Sequence, residues 1–438
     1  MTSPEVPALS DPELSRLKRF SLLEGVPVMV FLAWTTGAVL TGYALYLGAG
    51  PLELGLVSST PLLGQVLSLL LIRLSERTTH RREWLIALAL LSRGVWLGVA
   101  LFALFEERLR LPLLILLSTL SWTFTASVAT LLTSLLGDLI PRQVLGRFFG
   151  LRNALLGAVG TVVTVGGGIY LDRAAAPWSF QTLLLIAALV GLGAVTLLRL
   201  YPEPLSQAPE QVSPPSARST FRDPNFRPLL WYAGYWFFAA SLSAPFVLPY
   251  FLKFLHMTYA QISLWSALVA GCSLIFGPLW GRLADQIGNK PVLHLVTLLA
   301  SSLLPLSLLL ATPDSLGWVW LAAALEALVM SALGFGLLNL TLNSSPSHGR
   351  PRYLADFSAL TGLCGFLGSA LAGPLFLLFS VGMPQGGVSS DWTPYHAVLL
   401  CSALLRLPTV FLLRRVAEDG AWSLRSLFSH RWSKSKES

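Results

Sequence analysis

Charge is what this chain has least of. Only 12% of its 438 residues are Asp, Glu, Lys or Arg, about half the share of an ordinary soluble domain. That scarcity excludes a free-standing soluble fold. Cysteine is nearly absent too. Cys272, Cys364 and Cys401 each fall inside an apolar run. Their spacing suits neither a disulfide framework nor a zinc site, and they read as small buried hydrophobes. The six histidines are scattered, and no HExxH, phosphate-binding glycine loop or GxSxG occurs. No enzyme constellation results, and neither a metal nor a cofactor is expected. No short apolar core with a small-residue cleavage site precedes the first long apolar run, so no cleaved signal peptide is expected.

What is there is hydrophobic length. Residues of the apolar and aromatic classes make up 54% of the chain, enough for about twelve membrane spans of roughly 20 residues with short loops. The spans read as 21–48, 52–74, 83–105, 110–137, 147–171 and 178–200, then 228–254, 258–284, 290–311, 315–342, 352–380 and 393–414. Between the two sixes lies a proline- and serine-rich linker, 201–227, of flexible character. The domain expectation is therefore a first bundle over 1–200, a linker over 201–227, a second bundle over 228–415 and a basic tail over 416–438. The tail mixes Trp422, Leu424, Phe428 and Trp432 with basic residues. A short helix on the membrane surface and a disordered tail are both compatible with it.

The net charge of +8 is a topology signal. With both termini cytoplasmic, 24 of the 30 basic residues lie on the inner side, only Arg108, Arg110, Arg173 and Lys253 lie outside, and Arg93 and Arg406 fall within spans. Nucleic-acid binding is not needed to explain the charge. The expected setting is the plasma membrane, or inner membrane of a bacterial cell, with lipid as the surrounding partner and a monomeric chain.

Between two apolar runs stands the decade Gly281, Arg282, Leu283, Ala284, Asp285, Gln286, Ile287, Gly288, Asn289, Lys290. Asp285 follows a hydrophobic helix end, and Gly288 permits the backbone that stops a helix. A worn copy begins 209 positions earlier at Ile72. There Arg73, Leu74, Glu76 and Arg81 match Arg282, Leu283, Asp285 and Lys290, Arg77 adds a further positive charge, and both glycines are missing. Small residues at every fourth position, Gly160-Thr164-Gly168 and Gly365-Ser369-Gly373, repeat at an offset of 205. The chain reads as two duplicated halves. The pattern G-x-L-A-D-x-x-G-x-K resembles the cytoplasmic loop signature of the major facilitator superfamily, and the resemblance covers essentially the whole chain. It implies an all-α polytopic fold of twelve transmembrane helices in two six-helix bundles. It also implies secondary active transport by alternating access. The loop residues Gly281, Arg282, Asp285, Gly288, Lys290, Arg73, Glu76 and Arg77 would form a cytoplasmic gate. In that role Asp285 would latch near Gly146 and Arg147 at the start of the fifth span, and Glu76 near Arg352.

Ionisable groups inside spans are costly and commonly functional. Glu326, in the middle of the tenth span, is the sharpest candidate for carrying a coupling proton or holding a cationic substrate. Its counterpart 205 positions earlier is Ser121. Glu24, in the first span, is a second proton-coupling candidate, with a structural pairing to Arg152 as the plainer reading. Arg93 and Arg406 are expected to snorkel or to find a local partner. In the resembled family the first, fourth, seventh and tenth spans line the cavity. Trp34, Thr35, Trp122, Thr125, Tyr235 and Phe238 are the expected lining, whereas Trp231, Tyr232 and Tyr250 read as interface anchors.

The sequence thus points to a non-enzymatic, proton-coupled transporter of a small organic solute, leaning towards efflux of an amphipathic compound. Sugar or metabolite uptake stays open beside it, as does a non-transporting receptor on the same fold. The orientation is testable. In intact cells, single cysteines replacing Ser213 and Ser435 in a cysteine-free background should resist a membrane-impermeant thiol reagent, and one replacing Gln385 should label. Labelling at 213 from outside would reverse the topology.

Overall fold

The computed structural model describes residues 11–75, 81–140, 142–174, 176–201, 217–346, 350–382 and 392–418. Among them the chain is helical throughout, apart from turns and one isolated bridge between Thr312 and Ser315. Eleven helical stretches are long and apolar enough to cross a membrane. They are Leu14–Tyr46, Pro51–Leu74, Glu107–Gly137, Arg147–Arg173, Trp178–Leu198, Arg227–Phe254, Tyr259–Ile287, Asn289–Leu309, Gly317–Ser344, Arg352–Gly382 and Pro394–Arg414. The remaining expected span, third in order, is the α-helix Arg81–Gly94 continued by the 3-10 segment Val95–Leu104. Trp96 of that segment is fully buried, and its indole N–H donates to Ser121 Oγ, which in turn donates to the Ser92 carbonyl. The twelve expected spans are accounted for.

The chain divides into two compact units. One comprises Met1–Pro214 with Leu248–Ala267, the other Pro215–Val247 with Leu268–Ser438. In the first, Leu17, Leu85, Leu88, Leu132, Leu135 and Leu198 build a closed apolar core. In the second, Phe226, Leu229, Trp236, Leu293, Val296, Val329 and Leu340 do the same. Outward faces keep large apolar side chains exposed, Leu104, Val162 and Val381 among them. A hydrocarbon solvent tolerates that pattern and water does not.

Several spans are interrupted. The first breaks between Trp34 and Gly37, where Gly37 takes φ +54°. The hydroxyls of Thr35 and Thr36 return to the carbonyls of Phe31 and Leu32, at 2.7 and 2.8 Å. Such back-bonding satisfies side chain and carbonyl together and bends the helix. The seventh span breaks after Ser241, resumes at Ala244–Pro249 and ends in the π-helical turn Tyr250–Phe254. The ninth breaks between Ser301 and Leu303.

Glycine sets the closest helix approaches. A Cβ on Gly64 would lie 2.7 Å from the Trp122 backbone, joining the second and fourth spans of the first unit. In the second unit, a Cβ on Gly368 would collide with the Phe238 carbonyl oxygen, and one on Gly234 would sit 3.2 Å from Cys364 Sγ. The seventh and eleventh spans therefore pack backbone to backbone, as small-residue stripes allow in membranes. Gly368→Ala should cost about 1–3 kcal/mol through this overpacking. Gly150→Ala, with open space around its Cβ, should be neutral or up to about 1 kcal/mol stabilising. Thermal unfolding of the detergent-purified protein distinguishes them, and equal midpoints would refute the packing account.

Candidate functional site

The first unit buries an acid among basic groups. Glu24, on the first span, is only 2% exposed, and its Oε2 lies 3.7 Å from Arg152 Nη2 of the fifth span. Arg152 Nε donates to Ser21 Oγ at 2.7 Å. Arg93, from the third span, also acts on Glu24 through its charge. Its guanidinium lies over the Phe31 ring, 5.6 Å from the centroid, and Nη1 donates to the Ala89 carbonyl at 3.1 Å. Arg93 is 3% exposed, so its role is local pairing and not snorkelling. Glu24 Oε2 and Arg93 Nε are both buried without a hydrogen bond. Beside them Tyr201, just past the sixth span, is buried; burial and then the Glu24 charge push its hydroxyl far above the usual tyrosine range, so it stays neutral.

The second unit answers with a single arginine. Arg406 Nη1 donates to the Ala300 carbonyl at 3.1 Å, and Nη2 donates to the Ala240 carbonyl at 3.3 Å and to Ser243 Oγ at 2.8 Å. Ala240 and Ala300 sit at the C-terminal ends of the helix segments Arg227–Ser241 and Asn289–Ser301. Those ends carry unpaired carbonyls and partial negative charge, which a cation complements. Trp236 receives the guanidinium over its ring, 5.9 Å from the centroid. Phe31 and Trp236 are 205 positions apart, so the two halves offer equivalent rings to arginines from non-equivalent spans. Arg406 also acts electrostatically on Glu326. Glu326 is partly exposed in mid-helix, between the buried Ala323 and Ala327, and makes no hydrogen bond or ion pair with a described residue. Its counterpart Ser121 is a structural hydroxyl, bonded to Trp96.

Other expected residues take plainer places. Trp34 donates its indole N–H to the Val163 carbonyl at 3.0 Å, and Thr35 is buried against its own helix. Trp122, Thr125, Tyr235 and Phe238 are partly exposed. Of the three expected interface anchors, Trp231 is exposed at 68%, but Tyr232 and Tyr250 are fully buried. Tyr232 shares a hydrogen bond with Thr297 at 2.8 Å, so it belongs to the core of the second unit.

At the signature decade, Gly288 has φ +94° and ends the eighth span. A Cβ on Gly281 would lie 3.8 Å from the Phe335 ring, an ordinary contact. Asp285, Arg282 and Arg73 are exposed and make no hydrogen bond or ion pair with a described residue, while Glu76 and Arg77 lie outside the described residues. Lys290 donates to the carbonyls of Arg414 and Val416, at 2.9 and 2.6 Å. Glu418 accepts from the backbone N–H groups of Asn289 and Lys290, at 2.9 and 2.7 Å, and from Asn289 Nδ2. Sequence reasoning missed Glu418; its one signal is that it is the first acid after the last span. No group of three or more His, Cys, Asp or Glu able to hold a metal occurs among the described residues.

Solved structures with a similar fold include transporters. The nucleoside transporter NupG matches with a TM-score of 0.67 at 13% identity, covering 91% of this chain and 98% of that one. The xylose transporter XylE from E. coli, in a partially occluded inward open conformation, gives 0.65 at 14%, with 93% and 99% covered. A bacterial homologue of the iron transporter ferroportin gives 0.69 at 15%, with 94% and 100% covered. No curated protein sequence matches the chain. The sequence profile described as Major Facilitator Superfamily matches residues 26–374, and with twelve spans in two compact units the chain belongs to that superfamily.

Proposed function

We propose that this protein is a proton-coupled secondary transporter of a small organic solute, working by alternating access, with Glu326 as its principal proton-carrying group. The observation that carries this reading is the position of Glu326, a partly exposed acid in mid-span within the electrostatic reach of the half-buried Arg406. A charged acid at the bilayer centre costs about 2.5–3.5 kcal/mol, which a transporter recovers only if the charge is used. The guanidinium of Arg406 compensates the ionised form and repels a second cation, so it favours a proton over a cationic solute as the partner of Glu326. Glu24, held between Arg93 and Arg152, is the secondary acid. Trp122, Thr125, Tyr235 and Phe238 are the solute contacts, and their mix of rings and hydroxyls suits an amphipathic compound, with efflux as the favoured direction. The protein resides in the plasma membrane as a monomer surrounded by lipid, with both termini cytoplasmic.

The solute comes first in the test. Thermal-shift screening of the purified protein against nucleosides, pentoses and amphipathic drugs identifies a binder, which is then followed in proteoliposomes. Glu326→Gln should abolish accumulation driven by a proton gradient and leave counterflow exchange intact. Loss of solute binding in that variant would make Glu326 a ligand for a cation. Gradient-driven transport at the unmodified level would leave it a structural residue and defeat the proposal.

A further inference from the structure

An acid that the signature motif does not contain meets a distant helix start in the first unit. Asp172 ends the fifth span, and its two carboxylate oxygens accept the backbone N–H groups of Tyr259 and Ala260, at 2.7 and 2.8 Å. These are the first two residues of the eighth span, 87 positions further along the chain. The same helix start also closes on itself. Thr258 N–H donates to Gln261 Oε1 at 2.9 Å, and Gln261 N–H donates to Thr258 Oγ1 at 3.2 Å. A helix leaves its first N–H groups unpaired. Here the local pair serves Gln261, and Asp172 serves the two that the local pair cannot reach.

The surrounding contacts are close. A Cβ on Gly168, one turn before Asp172, would collide with Ser263 Oγ and lie 2.6 Å from the Tyr259 carbonyl. A Cβ on Gly42 would lie 2.7 Å from the Tyr259 ring, which meets Phe180 edge-on with centroids 5.8 Å apart. Ser263 is buried at 2%. Glycine at 168 and 42 is thus what lets the start of the eighth span seat in the first unit. Only charge and hydrogen bonds hold it at Asp172, since that residue is exposed.

We infer that Asp172 is a latch residue for the outer side of the transport cycle, holding the start of the eighth span through its backbone amides and releasing it when that side opens. This rests on the alternating-access reading and on the orientation proposed above. A carboxylate on amides is suited to reversible use, because it needs no particular side chain on its partner and its exposed charge leaves it weak enough to break. The Gly168–Ser263 contact supplies the fit, and Asp172 supplies the bias between seated and released.

The test places a single thiol, Ser263→Cys, in a background lacking the three native cysteines, with Leu104→Cys as the exposed reference. Intact cells are treated with a membrane-impermeant maleimide. Asp172→Asn should raise the labelling rate at 263 about two- to fivefold over the reference, the range a helix-terminal charge commands, and Asp172→Glu should restore it most of the way. In purified protein carrying Asp172, raising salt from about 0.01 M to about 1 M should have the same effect, and it should have none in Asp172→Asn. The salt response measured with Asp172 in place needs no substitution at 172, so that half of the arm stands even if Asp172→Asn expresses poorly. Equal labelling with Asp, Asn and Glu at 172, or labelling independent of salt, overturns the latch. A thiol at 263 that never labels while 104 labels normally overturns alternating access at this end, and the latch with it.

Discussion

Inside hydrocarbon a peptide carbonyl without a partner has no water to turn to, and this constraint organises both units. Interrupted spans expose carbonyls at their breaks, and named groups close them. In the first span the hydroxyls of Thr35 and Thr36 do it from within. In the second unit the carbonyls of Ala240 and Ala300 are taken by one guanidinium, that of Arg406. An arginine suits the place because its planar fork can reach two helix ends at once and still lie over the Trp236 ring.

Once a cation is buried for a backbone reason, an acid nearby costs less. Arg406 brings a positive charge to the region of Glu326, and Arg93 and Arg152 bring two to Glu24. The halves reach this arrangement by different routes. The aromatic seat is shared at Phe31 and Trp236, whereas the arginines come from the third span in one half and the twelfth in the other. At the position of Glu326 the first half has Ser121, tied to Trp96. The two units thus carry unlike polar cores.

Helix starts are treated in the same economical way. Glu418 and Asp172 each use both carboxylate oxygens to cap a helix far away in sequence. Glu418 fastens the end of the twelfth span to the signature decade, where Lys290 in turn donates to the last carbonyls of that span. Asp285, the acid to which the motif draws attention, is exposed and unbonded among the described residues. A conspicuous residue in the sequence and a bonded residue in the structure are therefore different things at this loop.

By itself the sequence determined that the chain spans a membrane twelve times, that Gly288 ends a helix and that Glu326 lies in mid-span. Each of these is a matter of local composition or of counting along one helix, and the transfer cost of a residue adds up span by span whatever its neighbours are. Only the tertiary structure decided that Arg93 and Arg406 turn inward, that Tyr232 and Tyr250 are core residues, and that Asp172 and Glu418 are caps. Those facts depend on how each helix is rotated about its axis and on bonds between residues from 65 to 166 positions apart. In water the rotation would be legible as an apolar stripe. In a bilayer the lipid-facing and protein-facing sides are equally apolar, so hydropathy loses its contrast, and the packing of Gly168 on Ser263 and of Gly368 on Phe238 decides it instead.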